Sequence, residues 1–136
     1  MDEDWEQLQI QVGWLQDELD EPDFSERTFK FAVRVIDALR DMSDNVSTRV
    51  IVQQLVKAAT MIGASVEEAN GTESEQDSIR KLSLAREKAH GSYYWIRVIR
   101  ASIADSVEWI ALQQESRELA RALDDLINPA QDQEPD

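Results

Sequence analysis

A chain of 136 residues with no cysteine and a net charge of −14 suits one domain and holds neither disulfides nor thiolate sites. Its hydrophobic content of 42% can fill a core, but no stretch reaches the roughly 18 unbroken apolar residues of a membrane span. The acidic start Met1-Asp2-Glu3-Asp4-Trp5 is unlike the basic start of a signal peptide, so a cytoplasmic location is expected.

Only 3 Pro and 4 Gly punctuate the chain, which favours long helices over a many-turned β fold. The charge is uneven. Residues 1–28 carry ten acids and one base, residues 29–104 nine acids and eleven bases, and residues 105–136 nine acids and two bases. The middle is therefore slightly basic and both ends are acidic. A duplex binder needs a dense basic face to release counterions from phosphates; the whole-chain charge argues against that role.

Residues 1–24 read as a separate acidic amphipathic arm. Trp5, Leu8, Val12, Leu15 and Leu19 recur at alternating spacings of three and four, a heptad-like seam. Ile10 and Trp14 fall elsewhere, and Glu21-Pro22-Asp23 breaks the pattern. The arm is expected to dock on the rest of the molecule or on a neighbouring subunit.

Residues 25–128 contain four helical patterns. The first runs from Ser25 to about Met42, with Phe29, Ala32, Val33, Ile36 and Leu39 as its core stripe. Phe31 and Val35 lie beside that stripe and widen it. The second runs from about Val46 to Ala69 on Ile51, Leu55, Ala58, Ala59, Ile62, Val66 and Ala69. Ala58, Ala59, Gly63 and Ala64 let a neighbour approach closely, and Asn70-Gly71 is expected to end the helix at positive φ.

The third pattern runs from about Ser74 to Arg100, with candidate caps in Thr72-x-x-Glu75 and Ser74-x-x-Asp77. Its core stripe is Leu82, Ala85, Ala89, Tyr93, Ile96 and Ile99. Gly91 weakens the middle by about 1 kcal/mol unless a partner packs there. The fourth starts near Asp105 with the box-like Asp105-x-x-Glu108, uses Val107, Ile110, Leu119, Ala122, Leu123 and Leu126, and stops at Pro129. Residues 129–136 read as a polar, acidic, disordered tail. Long helices joined by short turns predict an all-α, antiparallel, up-down-up-down four-helix bundle, with the amphipathic arm as an addition. No segment shows the sustained period-two alternation of a strand.

Chemistry-bearing constellations are sparse. His90 is the only histidine and falls off the apolar stripe, as a solvent-facing residue would. A Glu-x-x-His spacing occurs once, at Glu87 and His90; a di-metal bundle site needs it twice, with further glutamates. Glu67 and Glu68 read as helix-end or intersubunit charges, and isolated glycines form no phosphate loop. No catalytic, cofactor or metal site is therefore expected. Arg86, Arg97 and Arg100 group on one edge of the third helix. They are expected to pair with the acidic fourth helix or a neighbouring subunit, or else to contact phosphate. Tyr93, Tyr94 and Trp95 are consecutive and cannot share a face; at least one of Tyr94 and Trp95 is expected in a subunit contact.

Several stretches carry a wider likeness: Arg27-Thr28-Phe29-Lys30-Phe31-Ala32, Gln54 to Ala64, Glu67-Glu68-Ala69, Ser74, Lys81-Leu82-Ser83-Leu84-Ala85, Tyr94-Trp95-Ile96 and Glu115-Ser116-x-Glu118-Leu119. In their order and spacing the chain, from about residue 27 to 128, resembles the bacterial four-helix-bundle proteins encoded in intervening sequences of large-subunit ribosomal RNA genes. The resemblance implies a bundle without established enzymatic activity that associates into homopentameric rings. A related branch is the basic accessory protein of diversity-generating retroelements, which binds nucleic acid and a reverse transcriptase. The sequence departs from the family pattern at Met61, Ser65, Lys88 and Gly91, and its −14 charge departs from the basic branch.

The expected function is a non-enzymatic, ring-forming scaffold or binding protein. The alternative is a nucleic-acid-associated accessory factor using the Arg86, Arg97 and Arg100 edge. A bundle helix needs about three core positions per heptad. The first and third helices carry more, which places Phe31, Val35, Tyr94, Trp95 and Val98 in the expected subunit contact of a homopentamer. The acidic arm is expected to strap a subunit or its neighbour, or to cover the slightly basic middle.

Overall fold

The structure is a computed structural model and describes residues 23–129. The expected arm up to residue 22 and the tail beyond Pro129 lie outside the described residues. Four α-helices make up the rest, and no strand occurs among the described residues: α1 Phe24–Leu39, α2 Val46–Asn70, α3 Glu75–Ser102 and α4 Val107–Ile127.

Each helix starts where a side chain can accept the unpaired N–H groups of a first turn. The Asp23 carboxylate accepts from the Ser25 and Glu26 N–H groups, the Asn45 side chain from Thr48, and the Ser74 hydroxyl from Asp77. Of the two caps foreseen for α3, Ser74 is the one used; the Thr72 hydroxyl instead donates back to the Ala69 carbonyl. In α4 the cap is Ser106, which accepts from the Trp109 N–H at 3.2 Å. Asp105, expected there, holds Arg100 instead at 2.8 Å.

The end of α2 also departs from expectation. Gly71 adopts φ −91° and ψ −3°, in the right-handed region. Its N–H bonds the Glu67 and Glu68 carbonyls, so the helix tightens to its end without a left-handed residue.

The helices pack about one core. It contains Phe31, Val35 and Leu39 of α1, Leu55, Ala59, Ile62 and Val66 of α2, Ala85, Ala89, Ile96 and Ile99 of α3, and Trp109, Leu112, Leu119, Ala120 and Leu123 of α4. Both α1 and α3 pack against α2 and α4. Small residues allow close approach, as anticipated for Ala58 and Ala59. A Cβ at Gly91 would lie 3.9 Å from the Ala58 Cβ, in ordinary contact, and one at Gly63 would lie 3.2 Å from the Thr28 hydroxyl oxygen.

The α1 face is rotated from the expected one. Phe31 and Val35, expected in a subunit contact, are 1% and 0% exposed and belong to the subunit's own core. Phe29, Val33 and Ile36, expected inside, are 57%, 49% and 41% exposed. The reason is Thr28, which is fully buried against Gly63 and sets the inward series 28, 31, 35, 39. In α4 the correction is similar: Val107, Ile110 and Leu126 are exposed, whereas Trp109 and Leu112 are buried. Tyr93 is half-buried rather than a core residue.

Three buried hydroxyls are satisfied within their own helices. Thr28 donates to the Ser25 carbonyl, Ser92 to Lys88 and Ser116 to Gln113, at 3.0, 2.9 and 2.7 Å. This removes the penalty that an unpaired buried hydroxyl would carry.

Paired substitutions test the corrected faces. Val35→Asp and Leu112→Asp each bury an unpaired charge and should cost roughly 3–5 kcal/mol, enough to unfold a domain of ordinary stability. Ile110→Asp, on the exposed side of the same helix as Leu112, should stay within about 0.5 kcal/mol of the parent. Thermal and urea unfolding followed by circular dichroism reads all three. Equal losses at positions 110 and 112 would reject the assignment.

Candidate functional site

Cross-helix ion pairs lock α1 and α3 onto α4. Arg27 makes a bidentate contact with Glu115 at 2.9 and 2.8 Å, and a longer one with Glu118 at 3.4 Å. Arg34 reaches Glu108 at 3.2 Å. The Glu115 carboxylate, by accepting these bonds, pushes the Arg27 guanidinium pKa up from an already high value, so Arg27 stays charged. On the other side of α4, Arg86 binds Asp124 at 2.7 Å and Arg100 binds the Gln113 side chain at 2.7 Å. Glu68, foreseen as a helix-end charge, pairs with Lys81 of α3 at 3.1 Å.

Two surfaces stand out among the described residues. The first is the apolar stripe of α1, where Phe29, Val33 and Ile36 follow one another at spacings of four and three and so share a face. Sequence reasoning assigned these residues to the core; periodicity signals that a stripe exists but not which of two adjacent stripes faces inward.

The second is a groove between α3 and α4. It holds an open cavity of about 340 Å3 lined by His90 and Tyr93 of α3 and Arg117, Ala120, Arg121 and Asp124 of α4. The Arg86–Asp124 and Arg100–Gln113 contacts bound it at the two ends. The Arg97 guanidinium lies over the Tyr93 ring, 5.7 Å from its centroid, in a cation–π arrangement. Arg97, Arg117 and Arg121 form no ion pair with any described residue. Arg117 and Arg121 drew no notice in the sequence because they sit in an acidic region; their spacing of four was the available signal.

The arginine edge is thus divided. Arg86 and Arg100 are held by acids, Asp124 and Asp105, and Arg97 by an aromatic ring. Among the other expected contact residues, Tyr94 is exposed and Trp95 and Val98 are half-buried. The Tyr94 and Trp95 rings meet edge to face, 5.0 Å apart at an interplanar angle of 77°. His90 and Glu87 are both exposed. No group of three metal-ligating side chains, and no helix long and apolar enough to cross a membrane, occurs among the described residues.

The Arg100 guanidinium, donating to Asp105, holds that carboxyl below the usual carboxylate range. A depressed folded-state pKa contributes stability above the unfolded value, about 3.9, and loses it as pH falls through the depressed one. Asp105→Asn should therefore lower stability at neutral pH, and the difference from the parent should shrink as pH falls below about 4. Urea unfolding across pH measures this. A constant difference down to pH 2 would separate the effect from the carboxylate charge.

The family model described as 23S rRNA-intervening sequence protein matches residues 21–125. Comparison with curated proteins gives no match. A similar solved structure is the crystal structure of a protein with unknown function from the S23 ribosomal protein family of Bacteroides thetaiotaomicron. It is 25% identical, with a TM-score of 0.68, over 76% of this chain and 97% of that one. The family match spans all four helices up to the last turn of α4, and this chain belongs to the 23S rRNA-intervening sequence protein family.

Proposed function

We propose that this chain is a non-enzymatic scaffold or binding protein that works as a homo-oligomeric ring of five subunits. The exposed stripe of Phe29, Val33 and Ile36 carries this reading. Three large apolar side chains on one helix face seldom remain open to water without a partner. A closed ring needs two different, mutually complementary patches on each subunit. The α1 stripe is the first, in place of Phe31 and Val35. Tyr94, Trp95 and Val98 on α3 are the second. The number five comes from the family resemblance alone.

The subunit is an antiparallel up-down-up-down bundle in this reading. The order of the cross-helix pairs supports it. Ser25 and Thr28 of α1 meet Asn70 and Gly63 of α2, and Arg27 and Arg34 meet Glu115 and Glu108 of α4. Numbers rise along α1 as they fall along both neighbours.

A nucleic-acid-associated role is the second reading, and Arg97, Arg117 and Arg121, which pair with no described acid, favour it. Two facts weigh against it: the −14 net charge, and the engagement of Arg86 and Arg100 by acids.

Light scattering coupled to size exclusion should give five times the mass of one chain at micromolar concentration. Val33→Asp should reduce that mass to one chain while leaving the helical circular dichroism intact, because Val33 is half-exposed within the subunit. A single-chain mass for the unaltered protein rejects the assembly; a dimer or tetramer rejects the ring of five. Anisotropy titration with single-stranded and duplex nucleic acid should show no binding at physiological salt, and tight binding there would promote the second reading.

A further inference from the structure

The groove between α3 and α4 combines features that suit one kind of occupant. Its floor is Tyr93 and Ala120, with an open cavity of about 340 Å3. Arg117 and Arg121 line it on α4, and Arg97 on α3 lies over the Tyr93 ring; none of the three is paired with a described acid. Asp124, the one acid in the lining, is already neutralised by Arg86. An apolar ridge flanked by carboxylates on both sides would satisfy floor and arginines together.

This chain contains such a ridge. Residues 1–22 carry eight acids and no base. As a helix, Trp5, Leu8, Val12, Leu15 and Leu19 form one face. Asp2 borders that face on one side, and Asp4 and Glu18 on the other. The described residues 23–129, by comparison, carry 17 acids and 14 bases, so most of the excess negative charge lies in the chain's two ends.

The reach is adequate. The segment joins the fold at Asp23, the cap of α1. One turn further on, Arg27 is bound to Glu115 of α4. The attachment point and the groove therefore lie on opposite flanks of α4, about one helix diameter, ~10 Å, apart. Asp20, Glu21 and Pro22 in extended form span roughly 10 Å. From Trp5 to Leu19 the seam measures about 21 Å as a helix, and α4 between the groove's two ends, Asp124 and Gln113, measures about 17 Å, so one end of the seam extends past the groove.

We propose that residues 1–19 dock as an amphipathic helix in the groove between α3 and α4 of their own chain, with residues 20–22 as the link, the Trp5-to-Leu19 seam on Tyr93 and Ala120 and the flanking acids on Arg97, Arg117 and Arg121. The groove's cations then meet the chain's own carboxylates before any external polyanion, so the segment acts as a built-in competitor for phosphate-bearing ligands.

The absence of native cysteine allows a direct test on the full chain. Gln7→Cys and Gln114→Cys are spin-labelled, and the labelled protein is diluted into an excess of unlabelled protein. A second pair, Gln7→Cys and Thr60→Cys, reports on the side of α2. Docking predicts a narrow distance of one to two helix diameters, about 10–25 Å, to residue 114. It should broaden and lengthen in Arg117→Glu/Arg121→Glu. Both arginines are exposed, so the variant should fold, as circular dichroism would verify. Raising salt to 1 M, where the Debye length falls to about 3 Å, should broaden it without any substitution. A broad distribution in the parent, or one unmoved by both charge reversal and salt, overturns the proposal. So does a short distance to residue 60 in place of 114. A short distance that vanishes on dilution places the segment on a neighbouring copy and overturns the same-chain docking.

Discussion

The rotation of α1 about its own axis depends on one close approach, that of Thr28 to Gly63. A Cβ at residue 63 would stand 3.2 Å from the Thr28 hydroxyl oxygen, tighter than most side-chain contacts. The missing side chain lets α1 settle onto α2 with Thr28 fully buried between them. Once Thr28 points inward, helical geometry carries Phe31, Val35 and Leu39 in with it. Phe29, Val33 and Ile36 then face outward, and Arg27 and Arg34 turn toward Glu115 and Glu108 of α4. The apolar stripe and the α1–α4 ion pairs thus both follow from where one threonine sits.

Much of the fold was legible in the sequence. The number of helices, their approximate limits and the role of small residues in α2 are properties of period and composition, which a single sequence carries. The phase of α1 and α4 was not legible. Thr28 and Ser116 occupy core positions in those helices, and a hydrophobicity pattern scores both as polar. Their hydroxyls bond carbonyls of their own helices, so toward their neighbours they behave as small apolar groups. Reading Phe29 or Ile110 as inward follows naturally when these anchors are invisible. Gly71 misled for a different reason: glycine permits positive φ but does not require it.

The candidate site was half legible. Arg86, Arg97 and Arg100 do share an edge, and two of them pair with acids. The groove itself needed the packing of α3 against α4, which brings Arg117 and Arg121 into one lining with Tyr93, the ring that Arg97 covers. A net charge summed along a chain hides such a place, because acids and bases distant in sequence are sorted by helix faces. The described residues are close to balance, and the polyacidic character resides chiefly in residues 1–22 and beyond Pro129. Electrostatic arguments about what this protein binds therefore depend on where those ends lie.

Gly71 illustrates a consequence for the unfolded chain rather than the folded one. Its φ of −91° is open to any L-residue, and an added Cβ would meet only the Glu67 and Glu68 carbonyl oxygens at 3.7 Å, an ordinary contact. The native state gains nothing from the glycine's freedom, yet the denatured ensemble keeps all of it as configurational entropy. Alanine at that position would withdraw some of those disordered conformations and shift the balance toward the native state by about 0.4–1 kcal/mol. The α2–α3 turn is thus a place where this protein holds unused stability.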